Sequence, residues 1–231
     1  LAICNRARLG VVPQGGNTGY CGGATPFDGE NQVLLLTTRL DRIREVDPTG
    51  FTLTAEAGVV LADAQAAAAE HGLLFPLSMG SEGSCRIGGN VATNAGGLAV
   101  LRYGTMRDLV LGLEIVLPNG DVLSELEGLR KDNTGYQLNS IFVGAEGTLG
   151  LVTAAVLKLF PRPRSSETAW LAVPSPDAAT ALLGRARGES GDEVVSAEYV
   201  SRASLELVLR HIDGARDPLD RAHEHYLLLE L

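Results

Sequence analysis

An α+β fold is predicted for this 231-residue chain on three observations. Short strands of alternating or continuous apolar character are interleaved with few helices, glycine gathers in three clusters that each adjoin a strand, and the pattern turns plainer after PRPRSS at Pro161 to Ser166. The densest cluster, GSEGSCRIGGNVATNAGG from Gly80 to Gly97, holds six of the chain's 28 glycines in 18 residues. Glycine in place of alanine costs a regular element roughly 0.5 to 1 kcal/mol per site. Such density therefore points to sharp turns or to close approach of backbone to a ligand. Ile87, Val91, Ala92 and Leu98 run through the stretch, and Phe75, Pro76 and Leu77 lead into it. A polar, featureless Gly/Ser linker would not show them.

The elements follow in order. Residues 1 to 8 carry a weak helical pattern, and Leu9 to Val12 reads as a short buried strand stopped by Pro13. PQGGNTGYCGG, from Pro13 to Gly23, is a second loop with five glycines. Gln32 to Leu36 and Asp41 to Val46 are strands, the latter leading into the turn DPTG, and Phe51 to Ala57 alternates as a half-buried strand does. Leu61 to His71 is alanine-rich and helical, with Gly72 as its stop. Leu109 to Leu117 is a strand, PNGD at Pro118 to Asp121 a hairpin turn with the Asn-Gly pair favoured by type I′ geometry, and Asp121 to Glu125 the returning strand. RKDNTGYQL is polar and turn-rich. In the third cluster Gly144, Gly147 and Gly150 recur before a strand from Leu151 to Phe160.

PRPRSS is the expected domain boundary. Beyond it TAWLAV is a strand, and Ser175-Pro176-Asp177 starts a helix with serine as N-cap and proline at the first helical position, running to about Arg187. EVVSAEYV is a strand, Ser201 caps a helix ending near Gly214, and YLLLEL is a third strand. This β-α-β-α-β run predicts a sheet with helices on one face.

At 45% hydrophobic and 20% charged, the chain can bury one large core or two modest ones. A formal charge of −9 argues against nucleic acid and anionic membrane surfaces as partners. No apolar run reaches the roughly 18 to 20 residues that span a bilayer, so no integral membrane segment is expected. Cys4, Cys21 and Cys85 form an odd set without CxxC spacing, which fits a reducing compartment and a cytoplasmic location. The chain opens on Leu1 and closes inside an apolar run, and is expected to be a fragment.

Neither GxGxxG opening a helix after a strand nor GxxxxGK[ST] is present, which argues against a Rossmann or P-loop site. Successive N–H groups in the Pro13 to Gly23 loop can form an anion-binding nest, with Asn17 and Thr18 adding side-chain donors. Three separated glycine loops suit one long ligand lying across them.

PQGGNTG at Pro13, SCRIGGNVATNAGG from Ser84 to Gly97, LRYG at Leu101, RKDNTGY at Arg130 and GAEGTLGLVT at Gly144 resemble, in the same order, motifs of vanillyl-alcohol-oxidase-type (PCMH-type) flavoproteins. The wording is most similar to the D-2-hydroxyglutarate dehydrogenase and D-lactate dehydrogenase branch. The resemblance implies a PCMH-type FAD-binding domain of two α+β subdomains over residues 1 to 160, then the start of an α+β substrate (cap) domain over 161 to 231. It implies that Pro13, Gln14, Gly15, Gly16, Asn17, Thr18 and Gly19 cradle the FAD pyrophosphate. Leu77, Ser78, Gly80, Ser81, Ser84, Ile87, Gly88, Gly89, Asn90, Ala92, Asn94 and Gly97 would line the dinucleotide and flavin. Gly147, Gly150 and Val152 would meet it with main-chain atoms.

Two departures stand out. Gln137 follows Tyr136 where such proteins often carry aspartate, and no histidine stands in Pro13 to Gly23 to anchor a flavin covalently. Cys21 is explained as a small buried residue, so non-covalent FAD is expected.

The implied activity is oxidation of a D-2-hydroxy acid of the D-2-hydroxyglutarate or D-lactate type to the 2-oxo acid by hydride transfer to flavin N5, with a carrier protein or quinone as electron acceptor. The alternative is an FAD-binding non-catalytic subunit, or a flavin domain without turnover. A hydroxy-acid oxidation needs a base and a cationic clamp for the carboxylate. His71 at a helix end reads as a capping or surface residue and His211 as solvated, while His223 and His225 offer two metal ligands where zinc needs three or four. The resemblance places the catalytic base, and a divalent metal such as zinc, beyond Leu231. Arg102, Tyr103, Lys131 and Asn133 are the remaining polar candidates near the flavin. Gly16→Val and Gly89→Val are expected to abolish FAD retention while leaving the fold largely intact.

Overall fold

The computed structural model describes residues 1–29 and 31–231. They form two compact units, Leu1–Gly97 with Gly104–Arg162, and Leu98–Tyr103 with Pro163–Leu231.

The first unit opens with α1 (Ala2–Ala7), which ends where Arg8 turns to a left-handed φ of 52°. β1 (Gly10–Gln14) and β2 (Gln32–Leu36) then pair in parallel. Pro13, expected to stop the strand, lies inside β1 opposite Leu35. Among the described residues this sheet has two strands, so β1 keeps a free edge on which a residue lacking an N–H is tolerated.

β3 (Ile43–Asp47), β4 (Thr52–Glu56), α2 (Leu61–Glu70), β5 (Leu73–Leu74) and α3 (Ile87–Ala92) follow. After them come α4 (Val100–Tyr103), α5 (Met106–Leu109), β6 (Val110–Val116), β7 (Val122–Glu125), α6 (Asn139–Phe142), β8 (Leu151–Lys158) and β9 (Phe160–Pro161). Five of these strands form one antiparallel sheet in the order β3-β4-β8-β6-β7. Its core rests on Leu53, Ala55, Leu113, Ile115 and Leu157, all fully buried. α2 turns Leu61, Ala64 and Ala68 inward, a stripe at helical spacing.

α3 runs through Gly88 and Gly89, residues of low helix propensity. Gly88 is required by packing, because a Cβ there would stand 2.6 Å from the Cβ of Ala57. The β6–β7 turn also differs from expectation. Of its Asn-Gly pair only Gly120 has positive φ, 96°, and the Asn119 side chain accepts the Asp121 N–H at 3.0 Å. This is a longer Asx-stabilised loop rather than type I′, which needs positive φ at both residues.

A charged cluster spans β3, β4 and β6. Glu56, 2% exposed, accepts from Arg42 Nη2 at 2.8 Å and Arg44 Nε at 3.2 Å, and Arg44 also reaches Glu114 at 3.1 Å. Hydrogen bonds from Arg42 hold the Glu56 carboxyl below its ordinary 4.5, and Arg44 does the same for Glu114. A depressed folded-state pKa contributes stability above the unfolded value and loses it as pH falls through the folded one. Wild type should therefore exceed Glu56→Gln in melting temperature at pH 7, with the difference shrinking below about pH 4.5. A thermal-melt series against pH checks this; a constant difference contradicts it.

The second unit contains β10 (Thr168–Val173), α7 (Pro176–Ser190), β11 (Ser196–Ser201), α8 (Arg202–His211) and β12 (His225–Glu230). The strands form an antiparallel sheet in the order β10-β12-β11. The Ser175 hydroxyl accepts the Ala178 N–H at 3.1 Å and caps α7, and Ser201 caps α8 in the same way at 3.2 Å. Val173, Ala179, Val194, Leu227 and Leu229 form its core.

Candidate cofactor site

All three glycine clusters lie in the first unit and meet there. The loop that leaves β1 is drawn closed by Gln14, whose Nε2 donates to the Ala24 carbonyl at 2.7 Å. Asn17 holds a left-handed φ of 52°, a region that Asn enters more readily than most side chains. The second cluster lies directly against this loop: a Cβ on Gly16 would overlap the Ser84 carbonyl and stand 2.9 Å from Cys85 Cα. The third cluster touches both others. The N–H groups of Gly144 and Glu146 donate to the Val91 and Ala92 carbonyls at 3.0 and 2.8 Å. A Cβ on Gly147 would stand 3.0 Å from Pro13 Cγ.

Between them lies a cavity of about 780 Å³, within the roughly 300 to 1,000 Å³ typical of small-molecule and cofactor sites. Of the residues predicted from sequence, Pro13 to Gly19, Gly80, Ser81, Gly88, Gly89, Asn90, Ala92, Gly147, Gly150 and Val152 line it. Leu77, Ser78, Ser84, Ile87, Asn94 and Gly97 do not line it. Leu77 and Ile87 are core residues, 2% and 0% exposed. Ser84 and Ser78 present carbonyls against Gly16 and Gly97, and Asn94 Oδ1 accepts the Arg107 N–H at 2.9 Å. These residues shape the wall from behind.

Thr37, Met79, Cys85, Arg86, Glu146 and the Tyr20 to Ala24 end of the first loop also line the cavity, and Cys21 is exposed there rather than buried as expected. Arg86, Glu146 and Tyr20 to Gly23 sit inside or beside the glycine clusters, so proximity in sequence was the signal for them. Thr37 had none: parallel pairing of β2 with β1 carries it in, with its N–H on the Gln14 carbonyl at 3.0 Å.

A dinucleotide fits the donors these walls present. Among the described residues the N–H groups of Gly15, Gly16, Asn17, Thr18 and Gly19 have no acceptor, which leaves them available to an anion. Asn90 is 4% exposed and its Nδ2 is buried without a partner. Such a donor is costly unless another group completes it. A Cβ on Gly89 would meet nothing within 4 Å, so the backbone there faces open space.

The other polar candidates do not line the cavity. Arg102, in the second unit, pairs with Glu193 and lies over the Tyr103 ring at 5.3 Å. Lys131 and Asn133 are exposed residues of the polar turn and do not line the cavity. The four histidines also stand outside its lining. His71 Nδ1 lies 3.0 Å from the Ala67 carbonyl, and His225 Nδ1 lies 2.6 Å from Tyr199 Oη.

The D-2-hydroxyglutarate–pyruvate transhydrogenase of Saccharomyces cerevisiae is 39% identical over 231 residues, 100% of this chain and 46% of that one. The mitochondrial D-2-hydroxyglutarate dehydrogenase of Arabidopsis thaliana is 42% identical over 100% of this chain and 41% of its own length. The chain thus spans less than half the length of these relatives. A solved alkyldihydroxyacetonephosphate synthase shares the fold at a TM-score of 0.79 with 19% identity, covering 99% of this chain and 43% of that one.

The mitochondrial designation of the plant relative overturns the cytoplasmic location expected from the cysteines. Unpaired thiols report a reducing environment and do not tell the cytosol from an organelle interior. Residues 1–124, more than half of the chain, match the family model described as an FAD binding domain, and the chain belongs to that family of FAD-binding domains.

Proposed function

We propose that this chain is the flavin-holding part of an FAD-linked dehydrogenase that oxidises a D-2-hydroxy acid of the D-2-hydroxyglutarate or D-lactate type in mitochondria. The observation that carries the reading is the row of unpartnered amides from Gly15 to Gly19 on the wall of a glycine-lined cavity. Residues 1 to 160 are assigned to FAD and 161 to 231 to the opening of the substrate domain. The chain's likeness to two D-2-hydroxyglutarate enzymes supports the substrate class.

In this reading the Gly15 to Gly19 amides hold the cofactor's diphosphate by donating into it. Gly89 lets backbone approach the cofactor without a side chain between, and Asn90 Nδ2 donates to an acceptor on it. Leu151 and Val152 close the apolar side and exclude water. FAD, when bound, supplies the hydride acceptor for the substrate carbon. The electrons pass on to a carrier protein or quinone.

FAD is held non-covalently in this reading. Acid precipitation of the FAD-loaded chain should leave the flavin in the supernatant, and yellow colour in the pellet would contradict it. Anaerobic addition of D-2-hydroxyglutarate or D-lactate to the FAD-loaded full-length protein should bleach the flavin absorbance. Retention of FAD without bleaching by either acid would overturn the dehydrogenase assignment and leave a flavin-binding protein.

A further inference from the structure

Arg86 is the one Lys or Arg among the described residues that line the cavity. Its backbone is fixed on both sides: it bridges Val60, and its carbonyl accepts the Asn90 N–H at 2.9 Å. Its side chain starts beside the first glycine loop, since a Cβ on Gly15 would stand 3.5 Å from Arg86 Cβ. Nη1 donates to the Gly58 carbonyl, while Nε is buried without an acceptor.

No carboxylate pairs with this guanidinium among the described residues, in a chain whose formal charge is −9. A half-buried cation with a buried, unused donor is costly unless a counter-charge completes it. An arginine serving only to hold the Gly58 carbonyl would use one donor and would not need its charge. The nearest feature that calls for such a cation is the row of free amides at Gly15 to Gly19, which is itself built for an anion.

We propose that Arg86 is the charge partner of the cofactor's diphosphate, completing electrostatically the nest that the first glycine loop forms with its backbone. This rests on the FAD reading above. Arginine suits the role because its planar fork can keep one donor on Gly58 and offer others to a phosphate oxygen. The residue would thereby tie the position of the Ala57 to Val59 turn to occupancy of the phosphate site.

The test is calorimetric titration of wild type, Arg86→Gln and Arg86→Lys with FAD and with ADP, at low and high salt, alongside melting of the unliganded proteins. Glutamine keeps a donor near Gly58 and removes the charge; lysine restores the charge. Arg86→Gln is expected to weaken both FAD and ADP by about 10- to 100-fold, the loss typical of a charge-assisted hydrogen bond. Lysine should recover part of this, and binding to wild type should weaken with salt more steeply than binding to Arg86→Gln.

Equal FAD and ADP affinities in wild type and Arg86→Gln would overturn the proposal. So would affinity loss that tracks only a fallen melting temperature, with no change in salt dependence. Should Arg86→Gln not fold, salt-independent ADP binding by wild type would overturn it. Wild type that binds neither ligand would instead overturn the FAD reading itself, which separates the two failures.

Discussion

Gly89→Val is expected to lose FAD while keeping its fold. Gly89 lies on the cavity wall in α3, and a Cβ there would meet no protein atom within 4 Å. Its φ is not among the positive values in the chain, so a side chain fits the backbone without strain. Valine's branches therefore fall into the space where backbone would meet the cofactor. The affinity for FAD should drop about 10- to 100-fold, the equivalent of the roughly 1 to 3 kcal/mol that overpacking costs. The unliganded melting temperature should change little. Unaltered FAD affinity, read by flavin fluorescence quenching, would remove Gly89 from the site.

Gly16→Ala should damage both fold and site, unlike the expectation drawn from sequence that substitution at Gly16 would spare the fold. The added Cβ would overlap the Ser84 carbonyl and approach Cys85 Cα to 2.9 Å, and both obstacles are backbone. No side-chain rotation relieves that overlap, so the first two glycine loops must move apart. A loss of about 1 to 3 kcal/mol in stability is expected from the forced shift. FAD affinity should fall with it, because the row of amides starts at Gly15. Denaturant unfolding of the unliganded protein checks the first part; a midpoint equal to wild type would mean that the loops do not meet as described.

The contrast between these two glycines marks where sequence reading stops. Both belong to glycine clusters, and both were read as ligand-facing from composition and motif. Only the three-dimensional neighbours separate a glycine that clears space for a ligand from one that lets two loops touch. Gly88 makes the same point within one helix: it is small because of Ala57, 31 positions earlier in the chain, and α3 was not legible because local propensity argues against a helix through Gly88 and Gly89.

Signals that act over a few residues are legible in the sequence. Ser175-Pro176 marked the start of α7 because serine capping and proline's fixed φ both work within one turn. The hairpin at Asn119-Gly120 was placed correctly, while its turn type was not, since the Asn119 side chain bonds to Asp121 instead of leaving the backbone in positive φ. Pro13 reads as a strand end in sequence because its tolerance depends on β1 having a free edge, a fact of the sheet. Thr37 reached the cavity through strand pairing alone, which no local pattern announces.

In the proposed reading, three glycine loops of one unit enclose a site for FAD. Titration of the purified, flavin-free chain with FAD, followed by flavin fluorescence and by melting temperature, tests it most directly. Saturable binding of one FAD per chain is expected, with a melting temperature that rises with FAD concentration as for a ligand that binds only the folded state. A chain that leaves flavin fluorescence unquenched and melts at the same temperature with and without FAD would contradict it.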